Sequence, residues 1–199
     1  MNLFRKLFAK DKKVQHDSLT PARHFDNTEA LMDEDTFWLI IQSTKDKADN
    51  DYQKQQGLLK TELLKLSPEE IILFNNRFRY FRGESYHWDL WGAIYIINGG
   101  CGDDSFNDFR EWVIAQGKDF YYKTIKNPET LAELNREEID EDWEGFGYIP
   151  NDAFNEITGQ DIPNAFKENF EIKGEKWEED SDVLKEKFPN VAAKFPEYI

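Results

Sequence analysis

The sequence predicts an all-α fold, a compact domain of several helices followed by a less regular acidic C-terminal extension. Apolar residues recur at spacings of three and four, which is the period of amphipathic helices. No alternating strand pattern and no glycine-rich strand-to-helix loop occurs. The 199 residues suit one domain, and the 15% aromatic content argues against disorder despite 33% charged residues.

The predicted helices follow one another from residue 33, where acidic residues suit the positive end of a helix dipole. Ser67 and Glu70 flank Pro68 in a capping-box pattern, which predicts the start of the third helix. The predicted helical segments are residues 33–44, 52–66, 71–81, 88–97, 105–115, 118–125, 127–134, 153–157 and 182–188.

The segment 88–97 is almost entirely apolar, which predicts a helix that is buried on most sides. Gly99 and Gly100 are expected to end this helix, since glycine adopts the left-handed conformation of a C-terminal cap. Either Asp103 or Asp104 is expected to cap the next helix through its carboxylate.

Composition divides the chain into three parts. Residues 1–32 form a polar and basic arm and linker, 33–160 the helical domain, and 161–199 a C-terminal extension that we expect to dock on the domain. The arm is interpreted as a short helix or frayed terminus resting on the domain. A weak membrane-surface or partner helix is the alternative.

The formal net charge is −15, and residues 129–182 contribute −14 of it through 18 Asp+Glu against 4 Lys+Arg. This charge argues against nucleic-acid binding and favours a basic protein partner or a cation. No apolar run is long enough to span a membrane. Cys101 is the single cysteine, which excludes an intramolecular disulfide. Because no secretory signal is found, we expect a cytoplasmic protein.

Residues 87–114 carry the most distinctive pattern, Trp-Asp-Leu-Trp-Gly-Ala followed by Gly-Gly-Cys-x-Asp-Asp-x-Phe and Phe-Arg-x-Trp-x-Ile. This block resembles the signature of DUF4240, an uncharacterised and mostly bacterial family. The Met-Asp-x-x-x-Phe-Trp start at 32–38 and the Leu-Ser-Pro-Glu-Glu-Ile segment at 66–71 are also similar to that family. The resemblance covers roughly residues 32–158 and implies no particular activity.

A polar cluster within this block has two interpretations. Its members are His87, Asp89, Cys101, Asp103, Asp104 and Arg110. As a folding motif, the aspartates cap helices and Arg110 pairs with Asp89 or an aspartate of the turn. As a site, the carboxylates bind a divalent cation, or they act with Arg110 on a polar ligand.

Specific chemistry is only weakly indicated in that cluster. No calcium-loop, His-Glu-x-x-His or paired Glu-x-x-His pattern is found, so the sequence predicts no metal centre and no cofactor. Catalysis by a Cys101 thiolate would require a base, for which His87 is the candidate. The other interpretation is that Cys101 is a small apolar residue.

Tryptophans alternate with carboxylates in the acidic segment. The candidate partner surface comprises Glu141, Asp142, Trp143, Trp177, Glu178 and Glu179. One interpretation is a solvated acidic face whose tryptophans dock on the core. The other is a protein-binding surface, because tryptophan anchors interfaces and acidic groups steer a basic partner.

Three functions therefore remain open. The first is an acidic protein-binding or regulatory module, for example an inhibitor of a basic partner such as a nuclease-type toxin. The second is an enzyme or a small-ligand or divalent-metal binder using Asp89, Asp103, Asp104 and Arg110. The third is a structural or oligomerisation domain. The charge and the lack of a catalytic motif favour the first.

Overall fold

A computed structural model describes residues 25–26, 28–140, 143–178 and 181–196. The α-helices in these ranges are α1 Glu34–Ala48, α2 Tyr52–Leu63, α3 Pro68–Glu84, α4 Trp88–Asn98, α5 Asp103–Ala115, α6 Lys118–Lys126, α7 Ile149–Thr158, α8 Ser181–Lys187 and α9 Pro189–Lys194. Short 3₁₀ helices span Pro128–Glu133, Arg136–Glu138 and Phe146–Tyr148.

The all-α prediction is confirmed, since no β-strand occurs in the described ranges and an isolated parallel bridge joins His87 and Lys173. None of the described helices is both long and apolar enough to cross a membrane. The predicted arm, up to residue 24, lies outside the described residues.

Local capping signals explain where the first helices begin. Ser67 Oγ accepts a hydrogen bond from Glu70 N at 3.3 Å, and a Glu70 carboxylate oxygen accepts one from Ser67 N at 2.8 Å. The capping box predicted at α3 is therefore present. Asp33 and Asp51 cap α1 and α2 through their side chains in the same manner.

Several predicted elements differ from those observed. Helix α7 spans Ile149–Thr158 rather than 153–157, and α9 lies beyond the last predicted segment, 182–188. The second helix ends at Leu63, before the predicted end at Leu66, and a short turn leads directly into α3. The predicted helix 127–134 is instead the 3₁₀ helix Pro128–Glu133. That geometry suits a connector of a few residues, because 3₁₀ hydrogen bonds close over a shorter stretch of chain.

Aromatic side chains make up a large part of the core around α3. This helix packs against α1, α5 and α7, while α1 and α2 pack closely against each other. The rings of Phe37 and Phe74 lie 4.9 Å apart, and those of Trp38 and Phe81 lie 4.6 Å apart. Such ring pairs add to the free energy gained from burying their area.

The outer face of α4 is covered by the C-terminal part of the chain. Helices α8 and α9 both pack against α4. Gly92 makes this close approach possible, because a Cβ there would lie 2.7 Å from the Phe188 ring and 3.0 Å from the Trp177 indole nitrogen. Leu184 and Phe188 are consequently buried against α4.

Candidate functional site

The corner between α4 and α5 is fixed by local hydrogen bonds. His87 caps α4, its Nδ1 accepting a hydrogen bond from Asp89 N at 3.2 Å. Gly99 ends α4 in the left-handed conformation with φ 67°, as predicted. The Trp91 indole N–H donates to the Cys101 carbonyl oxygen at 2.9 Å, which holds the connection between the two helices against α4.

An aromatic surface pocket opens at this corner. Its volume is about 410 Å³ and its aromatic walls are Trp88, Trp91, Tyr95 and Trp177. The rings of Trp88 and Trp91 are stacked at 5.4 Å, and Trp177 meets Trp88 edge-on at 5.8 Å. Trp177 is 7% exposed, whereas the other three are only partly buried and present ring surface to the pocket. We call this feature the aromatic pocket.

Charged side chains surround the aromatic pocket. Asp103 from the first turn of α5 and Glu178 from the C-terminal segment both line it and are exposed. Lys176 also lines it, and its Nζ lies 5.7 Å from the centre of the Trp88 ring. A cation over an indole face is electrostatically favourable, so this wall accepts positive charge.

The C-terminal wall is held in place by backbone contacts. The Trp177 indole N–H donates to the Trp88 carbonyl oxygen at 2.7 Å. Trp88 N donates to the Lys173 carbonyl oxygen, and Lys173 N donates to the Tyr86 carbonyl oxygen, each at 2.9 Å. Residues far apart in sequence thus form the walls of one pocket.

Only some members of the predicted polar cluster lie together at the aromatic pocket. Cys101 and Asp103 line the aromatic pocket, whereas His87, Asp89 and Asp104 are not among its lining residues. Asp89 pairs instead with Lys187 of α8 at 2.7 Å. Among the described side chains, no group of three or more His, Cys, Asp or Glu is placed to hold a metal ion.

The prediction that Asp103 or Asp104 caps α5 is wrong. Gly102 occupies the cap position and no side chain accepts from the first turn, where both aspartates lie exposed. Their carboxylates instead interact with the positive end of the α5 dipole.

The predicted pairing of Arg110 with Asp89 or an aspartate of the turn is also wrong. Arg110 is 6% exposed and points inward, donating to the Arg82 carbonyl oxygen at 2.8 Å and to Asn107 Oδ1 at 3.1 Å. Its guanidinium lies 4.6 Å from the centre of the Tyr86 ring. Burial, reinforced by the charge of Arg82, lowers the pKa of Arg110 to about 10.

A buried charge network beside Arg110 is the feature that sequence reasoning missed. Arg82 donates through Nη1 to Glu111 at 2.6 Å, and through Nε and Nη2 to Glu168 at 2.8 and 2.7 Å. Arg79 Nε donates to Glu168 at 3.2 Å. The only signal in the sequence is the spacing of three between the two arginines, which places them on one side of α3.

The predicted partner surface is also divided. Trp177 and Glu178 belong to the aromatic pocket. Trp143 is 6% exposed and packs elsewhere, with its ring 4.9 Å from that of Tyr52 and 4.8 Å from that of Phe146. The remaining predicted members, Glu141, Asp142 and Glu179, lie outside the described residues.

The fold and the pocket define a helical protein with an aromatic surface pocket beside its C-terminal segment. A family model described as "Protein of unknown function (DUF4240)" matches residues 32–156, more than half of the chain. The chain therefore belongs to this family, and the resemblance found in its sequence is confirmed. Comparisons with curated proteins and with solved structures gave no match.

Proposed function

We propose that the protein is an acidic binding module that captures a basic segment of a partner protein. The aromatic pocket receives a lysine or arginine side chain of that segment. The observation that carries this proposal is the combination of tryptophan faces with a carboxylate rim, which is suited to a desolvated cation. The wider acidic charge of the chain speeds capture of such a partner.

Lys176 supports this assignment because it is a cation that already lies over the Trp88 ring. It is exposed and carries a flexible side chain, so an incoming cation can replace it. Arginine suits the pocket better than lysine, since its planar guanidinium stacks on an indole and is weakly hydrated.

The test uses a capped peptide of alternating arginine and glycine, titrated into the full chain while tryptophan fluorescence and heat are recorded. Binding should weaken at high salt, because the rim charges are exposed and screened. The double variant Asp103→Asn/Glu178→Gln should lose about tenfold in affinity, since exposed ion pairs contribute up to about 1 kcal/mol each.

A matched control is Glu69→Gln/Glu144→Gln, which removes the same charge from exposed positions that do not line the pocket. It should retain most of the affinity. Equal losses in the two double variants would show a general charge effect and reject the pocket as the binding site. Absence of peptide binding at low salt would reject the proposed function itself.

A further inference from the structure

The shape of the aromatic pocket narrows the kind of cation that suits it. Trp88 and Trp177 line the pocket with their ring planes 86° apart and their ring centres 5.8 Å apart. Tyr95 supplies a third ring, whose plane is inclined by 59° to that of Trp177. A group that rests against these walls meets aromatic surfaces turned in different directions, whereas a flat guanidinium stacks on one ring at a time.

Two of these rings have contacts that favour their observed orientations. Trp88 stacks on Trp91, which stacks in turn on Phe106 with the ring centres 4.8 Å apart. The Trp177 indole N–H donates to the Trp88 carbonyl oxygen. Because walls that are already ordered lose less entropy on binding, these contacts benefit the affinity for a ligand.

The walls offer little to a cation that carries N–H groups. Ring faces accept hydrogen bonds only weakly, and the indole N–H groups of Trp91 and Trp177 are donors that already donate to backbone carbonyls. A lysine ammonium brings three N–H donors, and each one that loses water without finding an acceptor opposes binding. The carboxylates of Asp103 and Glu178 are exposed, so they attract a cation chiefly through their charge.

Lys176 shows how an unmodified ammonium lies against these walls. Its Nζ is 5.7 Å from the centre of the Trp88 ring, close to the limit of about 6 Å for a cation–π contact. The residue is exposed, as expected for an ammonium that keeps its water. A cation without N–H groups holds water less strongly and can rest directly on the rings.

We propose that the aromatic pocket recognises a trimethylammonium group, carried by a trimethylated lysine of the partner segment. This inference rests on the proposed function and adds the chemical state of the bound residue. Trimethylation keeps the positive charge of lysine and replaces its N–H donors with methyl groups. The methyl groups contact rings turned in different directions, while the charge interacts with the ring faces and with the carboxylates around the pocket.

The first experiment titrates four capped peptides into the unmodified full chain by calorimetry. Each peptide has one lysine between two pairs of glycines, and the lysine is unmodified, monomethylated, dimethylated or trimethylated. Affinity should rise with each methyl group, and the trimethylated peptide should bind at least about tenfold more tightly than the unmodified one, because a cation–π contact is stronger when the cation is desolvated. Equal affinities for the four peptides would overturn the proposal.

A fifth peptide separates the effect of charge from that of shape. Its quaternary nitrogen is replaced by carbon, so that the side chain ends in a tert-butyl group of nearly the same shape without a charge. It should bind at least about tenfold more weakly than the trimethylated peptide. Equal binding of these two peptides would show a pocket for apolar groups and would overturn the recognition of a cation.

Choline carries the same trimethylammonium group on a free small molecule. It lacks the four-carbon stem of lysine, for which a pocket of about 410 Å³ has room. It should therefore bind more weakly than the trimethylated peptide. Choline that binds as tightly as this peptide would assign the pocket to a free quaternary ammonium compound and overturn the assignment to lysine.

Substitution of the walls tests the location of the site. In Trp88→Leu, and separately in Tyr95→Leu, the ratio of the affinities for the trimethylated and unmodified peptides should fall towards one. Tyr148→Leu is the matched control, since Tyr148 is 73% exposed and does not line the pocket. A ratio that is unchanged in both wall variants, with their folds confirmed by circular dichroism, contradicts the assignment to this pocket.

The peptides also separate this inference from the proposed function. If the arginine–glycine peptide binds while the four lysine peptides bind equally, the binding module is retained and the preference for a trimethylammonium group is wrong. If none of the peptides binds at low salt, both are wrong.

Discussion

Glu168→Gln is the substitution with the largest expected effect on stability. The Glu168 side chain is 1% exposed and accepts three hydrogen bonds, two from Arg82 and one from Arg79. Glutamine has nearly the same shape as glutamate but carries no charge. Its NH₂ group is a donor and would face the N–H donors of a guanidinium group. Removing one partner of a buried ion pair costs about 3–5 kcal/mol. Because Glu111 still neutralises Arg82, we expect a loss near the lower limit, about 3 kcal/mol.

Urea unfolding followed by circular dichroism measures this loss directly. A loss of about 3 kcal/mol corresponds to a fall in melting temperature of roughly 6–12 °C for a chain of this size. Glu171→Gln is the control, three residues along the same segment and exposed, and it should change stability by less than about 0.5 kcal/mol. A loss below about 1 kcal/mol for Glu168→Gln would refute the claim that this carboxylate is a buried counterion.

Four further substitutions test the packing, a helix cap and a shifted pKa. Gly92→Ala should destabilise the fold by about 1–3 kcal/mol through overpacking, whereas Gly57→Ala, with open space around its Cβ in the middle of α2, should stabilise it by roughly 0.5–1 kcal/mol. Denaturant titration measures the change in the free energy of unfolding for both variants. Changes of the same sign would contradict the packing argument. Ser67→Ala should cost about 1 kcal/mol, and the pKa of Glu70, lowered by hydrogen bonds from Ser67, should rise in an NMR titration. A lowered carboxyl pKa stabilises the fold at pH values above the pKa of the same group in the unfolded chain. The contribution of Glu70 to the loss in Ser67→Ala should therefore disappear as the pH falls through the pKa of Glu70 in the folded protein. Burial and a hydrogen bond to a carboxylate raise the pKa of Tyr122 to about 12. This group stabilises the fold below pH about 10 and loses that contribution as the pH rises towards 12. The pKa of Tyr121 is also raised by burial, so Tyr122→Phe should reduce the late part of the tyrosinate absorbance titration by the amplitude of one tyrosine. An unchanged late part of the curve would contradict the assignment.

Helix positions were predictable because their signals are local. The capping box of Ser67 and Glu70 lies within four residues and needs no tertiary contact to form. Gly99 ends α4 for the equally local reason that it adopts a positive φ. The cap of α5 was mispredicted because an aspartate next to a glycine satisfies the same pattern in either the cap or the first turn.

The candidate site was predictable only in pieces. Asp103 and Trp177 were each singled out, but for different roles, and their meeting at one pocket depends on how the C-terminal segment folds back on α4. The same limitation applies to Arg82 and Glu168, which are separated by 86 residues. No periodicity within a helix contains information about such a partner.

The packing of the C-terminal part of the chain against α4 has a consequence for where the chain can be truncated. The family match ends at residue 156, yet Glu168 pairs with the partly buried Arg82, and Phe188 packs over the α4 face, both from beyond that point. A fragment trimmed to the matched residues would expose an apolar helix face and lose one of the two carboxylates that pair with Arg82. We therefore expect the independently folding unit to extend beyond the residues that the family model matches.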